Sequence, residues 1–359
     1  MRKLLTYSPF HPDILVYSDL HLHERKEFTR VDPETGLNSR LAEGLDVLRQ
    51  INQLLKKHPS IELLINLGDV FELKDRVPTH ILLEFQKALE SIPVDHFLLR
   101  GNHDFNLPNY PIPRLFWKLT LIERSEYFKM PQGTTLAFIP FQREEADFWK
   151  EFHKMKQMKP DFLFFHQEIP GVEYESGIQV PGSVPGSTFD RDTVYMSGHI
   201  HKHQTVKRVN FIGSPYQTKF SDEGIGKYVW LIDRTTKVSK GIKLNYPEFK
   251  SFNLQELRES RGQVLSQVWG QYVKVTGEAE QYNWTPEEKK QIRADLEENG
   301  AIGVTFSIQV KHNPQTRIPK EKVEDDEAII RLYAEDFQDS GLDKERLTEV
   351  GLDLFHNKH

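Results

Sequence analysis

Through its first 240 residues the chain alternates short apolar runs with segments of helical period, and this alternation restricts it to an α/β architecture. The runs at 14–17, 63–67, 97–100, 135–140, 162–165, 193–197, 206–212 and 228–233 read as strands. Leu41, Leu45, Leu48, Ile51 and Leu55 recur at helical spacing and predict an amphipathic helix over 39–57. A second helix opens at Thr79, taken as its N-cap, and carries Leu82, Phe85 and Leu89; a third covers 143–158. The Gly/Pro/Ser-rich stretch 177–187 reads as a long surface loop.

Beyond residue 245 the pattern changes. Strand candidates at 272–276 and 304–311 flank a helix start at Thr285, with Pro286 in its first turn. Two amphipathic segments end the chain: 324–338 places Ile329, Ile330, Tyr333 and Phe337 on one face, and 343–355 does the same with Leu347, Val350 and Leu354. Charge shifts at the same place. Residues 1–240 hold 31 basic and 31 acidic side chains, residues 241–359 hold 16 and 22, so the whole net charge of −6 lies in the last third. Three parts are expected: 1–245, an α+β unit over 246–320, and a helical segment over 321–359.

Cysteine is absent, which excludes disulfides, thiol nucleophiles, iron–sulfur clusters and thiolate zinc sites. Metal chemistry in this chain must therefore use imidazole, carboxylate and amide oxygen, and 12 of the 15 histidines precede residue 204. Residues 1–17 are broken by Pro9, His11, Pro12 and Asp13, and the apolar runs fall far short of the ~18 residues of a membrane span, so a cytoplasmic protein without membrane contact is expected.

Five motifs lie in order, each after an apolar run: Asp19-Leu-His21, Gly68-Asp69, Gly101-Asn102-His103-Asp104, His166, and Gly198-His199-Ile-His201. In α/β sheets ligands gather at the carboxyl ends of strands, so residues remote in sequence can converge there. Every side chain in the set is a hard or borderline oxygen or nitrogen donor suited to Mn²⁺, Fe²⁺ or Zn²⁺. The alternate spacing in Asp19/His21 and His199/His201 lets both side chains leave an extended segment on one side. Singly, each motif is as easily a turn, a cap or a packed histidine; jointly, the order favours a site.

These motifs resemble the calcineurin-like metallophosphoesterase set. Residues 206–233, with a strand, Gly213-Ser214-Pro215, an irregular stretch and a Gly226-Lys227-Tyr228 strand, are similar to the SbcD-type DNA-repair nucleases. The resemblance implies a four-layer α-β-β-α sandwich with a small α+β capping domain and C-terminal helices. It implies two divalent metal ions, Mn²⁺ first, with Fe²⁺, Zn²⁺ or Mg²⁺ as alternatives. One would take Asp19, His21, Asp69 and His201; the other would take Asp69, Asn102, His166 and His199, with Asp69 bridging. Such a pair activates water and polarises phosphate oxygens, so no protein nucleophile is needed. His103 is implied as the catalytic histidine outside the ligand set. Glu72, three residues after Asp69, stands where the wider superfamily has an acid that orients that histidine. Some archaeal nucleases carry histidine at that place, and His23 stands where glycine is common; a supporting or surface imidazole is the plainer reading of His23, and a solvated loop residue that of His203. Lys202, Lys207, Arg208 and Lys219 are candidate contacts to DNA phosphates or an ordinary charged face.

The implied function is a DNA nuclease subunit acting in repair or recombination with an SbcC-like coiled-coil ATPase, and a homodimer is a further family expectation. In that reading Ile329, Tyr333, Phe337, Leu347 and Leu354 dock on the ATPase; the alternative is packing within the chain. Other readings are a phosphomonoesterase or small-substrate phosphodiesterase of the same superfamily and a non-catalytic scaffold.

Overall fold

The computed structural model describes residues 10–104, 119–280, 284–311, 326–336 and 343–356. Its first sheet draws on β1 (Ile14–Tyr17), β2 (Leu63–Asn66), β3 (Asp95–Leu99) and β4 (Leu119–Ile122), all parallel. The second draws on β5 (Glu126–Lys129), β6 (Thr135–Ile139), β7 (Phe162–Phe165), β8 (Val194–Ser197), β9 (Gln204–Val206) and β10 (Val209–Phe211). Strands β11 (Val229–Asp233) and β12 (Val238–Ile242) return antiparallel to the first sheet. The two six-stranded orders are β12-β11-β1-β2-β3-β4 and β5-β6-β7-β8-β10-β9. Helices α1 (Ser39–Lys57) and α2 (Thr79–Glu90) belong with the first sheet, and α3 (Glu145–Gln157) belongs with the second.

Strands β1 and β7 are four-residue apolar runs and β2 departs from one at Asn66; all three are buried throughout, and each face has its own partner. Ile14, Val16, Leu63 and Ile65 meet Leu136, Phe138, Phe162 and Phe164 between the sheets. The alternate residues Leu15, Tyr17 and Leu64 pack under α1 and α2, against Leu41, Leu48, Ile51 and Phe85. On the far side, Ala137, Ile139, Leu163 and Phe165 pack under α3, against Phe148, Phe152 and Met155. Three apolar cores between four layers make the α-β-β-α sandwich.

Two local expectations are corrected. The helix at 79 is preceded by Pro78 as its cap residue, with no side-chain cap bond, so Thr79 is its first residue rather than the N-cap. The expected strand at 206–212 is a hairpin: Lys207 (φ 48) and Arg208 (φ 75) turn the chain between β9 and β10. That left-handed pair is normally built from Asn and Gly, so the sequence gives no turn signal there. The loop expected at 177–187 is irregular and largely exposed.

Farther along lie β13 (Phe249–Asn253), α4 (Leu254–Glu259), α5 (Arg261–Leu265), β14 (Tyr272–Glu280), α6 (Pro286–Glu298) and β15 (Gly303–Lys311). The three strands form a sheet in the order β13-β14-β15. The chain ends in α7 (Asp326–Asp336) and α8 (Lys344–His356), which pack on each other. Contacts divide the chain into two units, the described residues through Val275 with Ala294–Phe306, and Thr276–Arg293 with the described residues from Ser307 onward. Phe337, and the ends 324–325 and 337–338 expected for the first terminal helix, lie outside the described residues. No helix among the described residues is long and apolar enough to cross a membrane.

One buried polar pair gives the first sheet a pH dependence. His96 on β3 is 3% exposed, and its Nε2 shares a hydrogen bond of 3.2 Å with Tyr17 Oη. Burial pushes the imidazole from 6.5 down to about 3. Below pH 6.5 the unfolded chain gains a proton at His96 that the folded chain refuses, so stability falls between pH 6.5 and about 3. In chelator, His96→Phe is expected to show a smaller loss of urea midpoint from pH 7 to pH 5 than wild type; equal losses would reject this role.

Candidate metal centre

Each motif begins where a buried parallel strand ends. Asp19 and His21 follow β1, Asp69 follows β2, Asn102 and His103 follow β3, His166 follows β7, and His199 and His201 follow β8. The expectation of extended segments at Asp19/His21 and His199/His201 is corrected: Asp19 (φ 55), His21 (φ 46), Asp69 (φ 55) and His199 (φ 76) are left-handed. Such backbone is costly for residues other than glycine, of order 1–3 kcal/mol each, and clusters at functional sites. The tight turns bring motifs from both sheets within contact of one another. A Cβ at Gly68 would lie 2.4 Å from His166 Nδ1, and one at Gly101 would lie 2.1 Å from Asp69 Oδ1, so neither position admits a side chain.

The structure brings Asp19, His21, Asp69, Asn102, His103, His166, His199 and His201 together. Donor atoms of Asp19, His21 and His201 lie within 4.8 Å of one another, and so do those of Asp69, His166 and His199. Asp69 also groups with His21 and His103, so its carboxylate stands between the two nests. Its Oδ2 is 3.7 Å from His21 Nε2 and 3.4 Å from His166 Nε2. Asn102 Oδ1 joins the second nest, 2.9 Å from His166 Nε2 and 2.7 Å from His199 Nδ1.

Three of the outward nitrogens face acceptors, while His201 Nδ1 has none among the described residues. His166 Nδ1 donates to Leu67 O at 2.6 Å, His21 Nδ1 lies 2.9 Å from Glu72 Oε2, and His199 Nε2 lies 3.5 Å from Glu168 Oε2. Holding the proton on the outer nitrogen leaves the inner lone pair free for a cation, the usual arrangement behind metal-bound imidazole. Glu72 therefore differs from its expected geometry. Its carboxylate meets His21, and its backbone carbonyl, not its carboxylate, receives His103 Nδ1.

Electrostatics favour cations here. Burial would push His166 down, but the carboxylates of Asp69 and Asp19 and the Leu67 carbonyl carry it up to about 9. Burial likewise opposes charge on His21, yet Glu72 and Asp69 raise it. Against the cost of burial, the neighbouring histidines hold Asp69 well below the usual carboxylate range, while burial raises Asp19. His201, half-buried and facing His21 at 3.0 Å between Nε2 atoms, is pushed well down by desolvation and by that neighbour. The donor set fits two divalent cations, Asp19, His21, His201 and Asp69 for one and Asp69, Asn102, His166 and His199 for the other.

The sequence assigns no role to several of the participants. Asp104 Oδ2 accepts from Asp69 N at 2.9 Å and Gly101 N at 3.0 Å, tying the second motif to the third. Glu168 stands behind His199, and its place two residues after His166 was its sole sequence signal. Buried Lys227 donates to His201 O at 2.9 Å. His203 is not a solvated loop residue: its Nδ1 meets Phe211 O at 3.0 Å and its ring lies 4.7 Å from that of Trp230. His23 is half-buried, with Nδ1 lacking a hydrogen-bond partner among the described residues. Of the basic group, Lys202 pairs with Glu173, Lys207 donates to Val184 O, Lys219 lies 3.8 Å from Glu175, and Arg208 is exposed.

Among solved structures, a dimetal phosphatase from Danio rerio is similar at 9% identity and a TM-score of 0.37, over 62% of this chain and 93% of that one. A nuclease from Pseudomonas putida is similar at 15% identity and a TM-score of 0.28, over 61% and 84%. No curated protein matches. The family model for calcineurin-like phosphoesterase matches residues 12–203, which contain all five motifs and more than half of the chain. By that match the chain belongs to the calcineurin-like phosphoesterase family.

Proposed function

We propose that this chain is a DNA nuclease subunit that hydrolyses phosphodiester bonds with two divalent ions, Mn²⁺ first among them. The observation that carries the reading is Asp69, a buried carboxylate shared by two nests of oxygen and nitrogen donors. The resemblance of the segment 206–233 to the SbcD-type nucleases supports DNA as substrate, and this segment is tied to the site through Lys227 and Ser214 N, both donating to His201 O. Asp19, His21, Asp69 and His201 would hold one ion and Asp69, Asn102, His166 and His199 the other, which would supply Lewis acidity toward the phosphate oxygens and activate water. His103 stands beside them, its ring 4.6 Å from that of His21, with Nδ1 committed to Glu72 O. Nε2 is the nitrogen left to handle a proton at the leaving oxygen. Burial lowers this histidine, which makes its imidazolium the stronger acid. Glu72 holds His21 in place by its carboxylate and His103 by its carbonyl.

The test compares linear and hairpin DNA with a small chromogenic diester and monoester, in Mn²⁺ and in Mg²⁺. Wild type is expected to cleave DNA, and His103→Asn to lose about 10²-fold or more in turnover while still binding metal. Monoesterase activity without DNA cleavage would reject the nuclease reading in favour of a phosphomonoesterase.

The same reading gives α7 and α8 an SbcC-like ATPase as partner. Ile330 packs close to Gly351 between the two helices, while Ile329, Tyr333, Val350 and Leu354 stay 38%, 51%, 50% and 64% exposed. An apolar stripe left outside a helix pair suits a helix-in-groove contact. Truncation after residue 322 is expected to abolish ATPase binding; full retention would reject this surface.

A further inference from the structure

A cavity of about 400 Å³ opens beside the metal centre, within the size range of small-ligand sites. Glu72 belongs to both: it lines the cavity and its Oε2 touches His21 Nδ1. Arg25, Lys26, Arg40 and Lys219 line it against the acids Glu27 and Glu72, so its balance is positive although the chain is acidic. Phe28 and Phe220 form an aromatic wall, with ring centroids 6.0 Å apart at 75°.

Two features show that this wall is built. Phe28 is left-handed (φ 59), a rare state for a bulky residue, and it presses on Gly303, where a Cβ would lie 2.6 Å from Phe28 Cδ1. Arg40 is 4% exposed; its Nη1 pairs with Glu43 and its Nη2 donates to Thr218 O at 3.0 Å. Its Nε, in contrast, is a buried donor without a partner among the described residues. A buried guanidinium N–H without an acceptor is costly unless a ligand supplies one.

We infer that this cavity receives the nucleotide next to the scissile phosphate, with its base on the Phe28/Phe220 wall and its oxygens on Arg40 Nε, Lys26 and Lys219. A planar ring bearing an anion matches an aromatic and cationic lining together, as in sites for single-stranded nucleic acid. The inference rests on the nuclease reading for its placement beside the reacting bond. It gives His23, which also lines the cavity, an acceptor or donor for its free Nδ1.

The test measures binding to the full chain in chelator, so that metal and turnover play no part. The probes are thymidine 5′-monophosphate, 2-deoxyribose 5-phosphate and thymidine. The nucleotide is expected to bind wild type about tenfold or more tighter than either fragment. Phe28→Leu is expected to remove about tenfold from the nucleotide and nothing from the sugar phosphate. Lys26→Gln with Lys219→Gln, both at exposed positions, is expected to weaken both phosphates. Equal binding of nucleotide and sugar phosphate by wild type overturns the assignment, as does full nucleotide affinity in Phe28→Leu. If Phe28→Leu does not fold, the ligand comparison on wild type decides alone. Nucleotide binding in a protein that cleaves no DNA overturns the nuclease reading but supports the cavity; DNA cleavage without base preference in binding overturns the cavity alone.

Discussion

Asp69→Asn is expected to cut turnover of a small phosphodiester by at least about 10³-fold and to reduce divalent-ion binding from two ions to at most one. Asparagine keeps the shape of the side chain and one acceptor, so His103 N, which donates to Asp69 Oδ1 at 2.8 Å, retains a partner. What disappears is charge. The first nest still has Asp19, but the remaining donors of the second, Asn102, His166 and His199, are all neutral when they ligate. Imidazole and amide groups alone hold a hard divalent ion poorly. Calorimetric titration with Mn²⁺ gives the stoichiometry, and a thermal scan checks it independently. A saturating ion at 100 times its Kd adds about 2.7 kcal/mol of stability, a gain the variant is expected to lose for its second site. Two ions bound with near wild-type turnover would rule out the shared carboxylate.

The parts of the fold legible in the sequence are those where one physical signal dominates. Strands β1 and β7 are unbroken apolar runs, and β2 is apolar up to Asn66, because both their faces are covered, and such runs stand out. The edge strands β4, β5 and β12 escaped notice because they are half exposed and mix Thr, Glu, Lys and Ser with apolar residues. Hairpin β9/β10 was hidden by a Lys-Arg turn in a conformation that those residues seldom adopt. At the metal centre the donors were legible because their types are scarce and their order is specific. Supporting contacts were not. Leu67 O and Glu72 O act through the backbone, which no residue type reports. Glu168 reaches His199 from another strand end, a contact that depends on how β7 and β8 pair.

Lys227→Met is expected to lower the thermal midpoint by about 10 °C, from a loss of about 3–5 kcal/mol at 2–4 °C per kcal/mol in a domain of this size. Lys227 and Asp222 are both fully buried, at 0% exposure. The ammonium uses all three protons, on Asp222 Oδ1 at 2.8 Å, Ser214 Oγ at 2.9 Å and His201 O at 2.9 Å. Removing it leaves a carboxylate in the interior supported, among the described residues, by Thr218 through its N–H at 2.9 Å and its hydroxyl at 3.3 Å. An unpaired buried charge costs more than the pair contributes, so Lys227→Met with Asp222→Leu is expected to recover much of the stability. Recovery separates two roles. If the lysine serves folding alone, the double variant binds metal as wild type does. If it also sets His201, the double variant is stable yet binds its first ion about 10–100-fold more weakly, because the carbonyl of this ligand has lost the closer of its two donors, Lys227 at 2.9 Å, and keeps the Ser214 N–H at 3.2 Å. A midpoint shift below about 3 °C in the single variant would show that the pair is not buried as a charge.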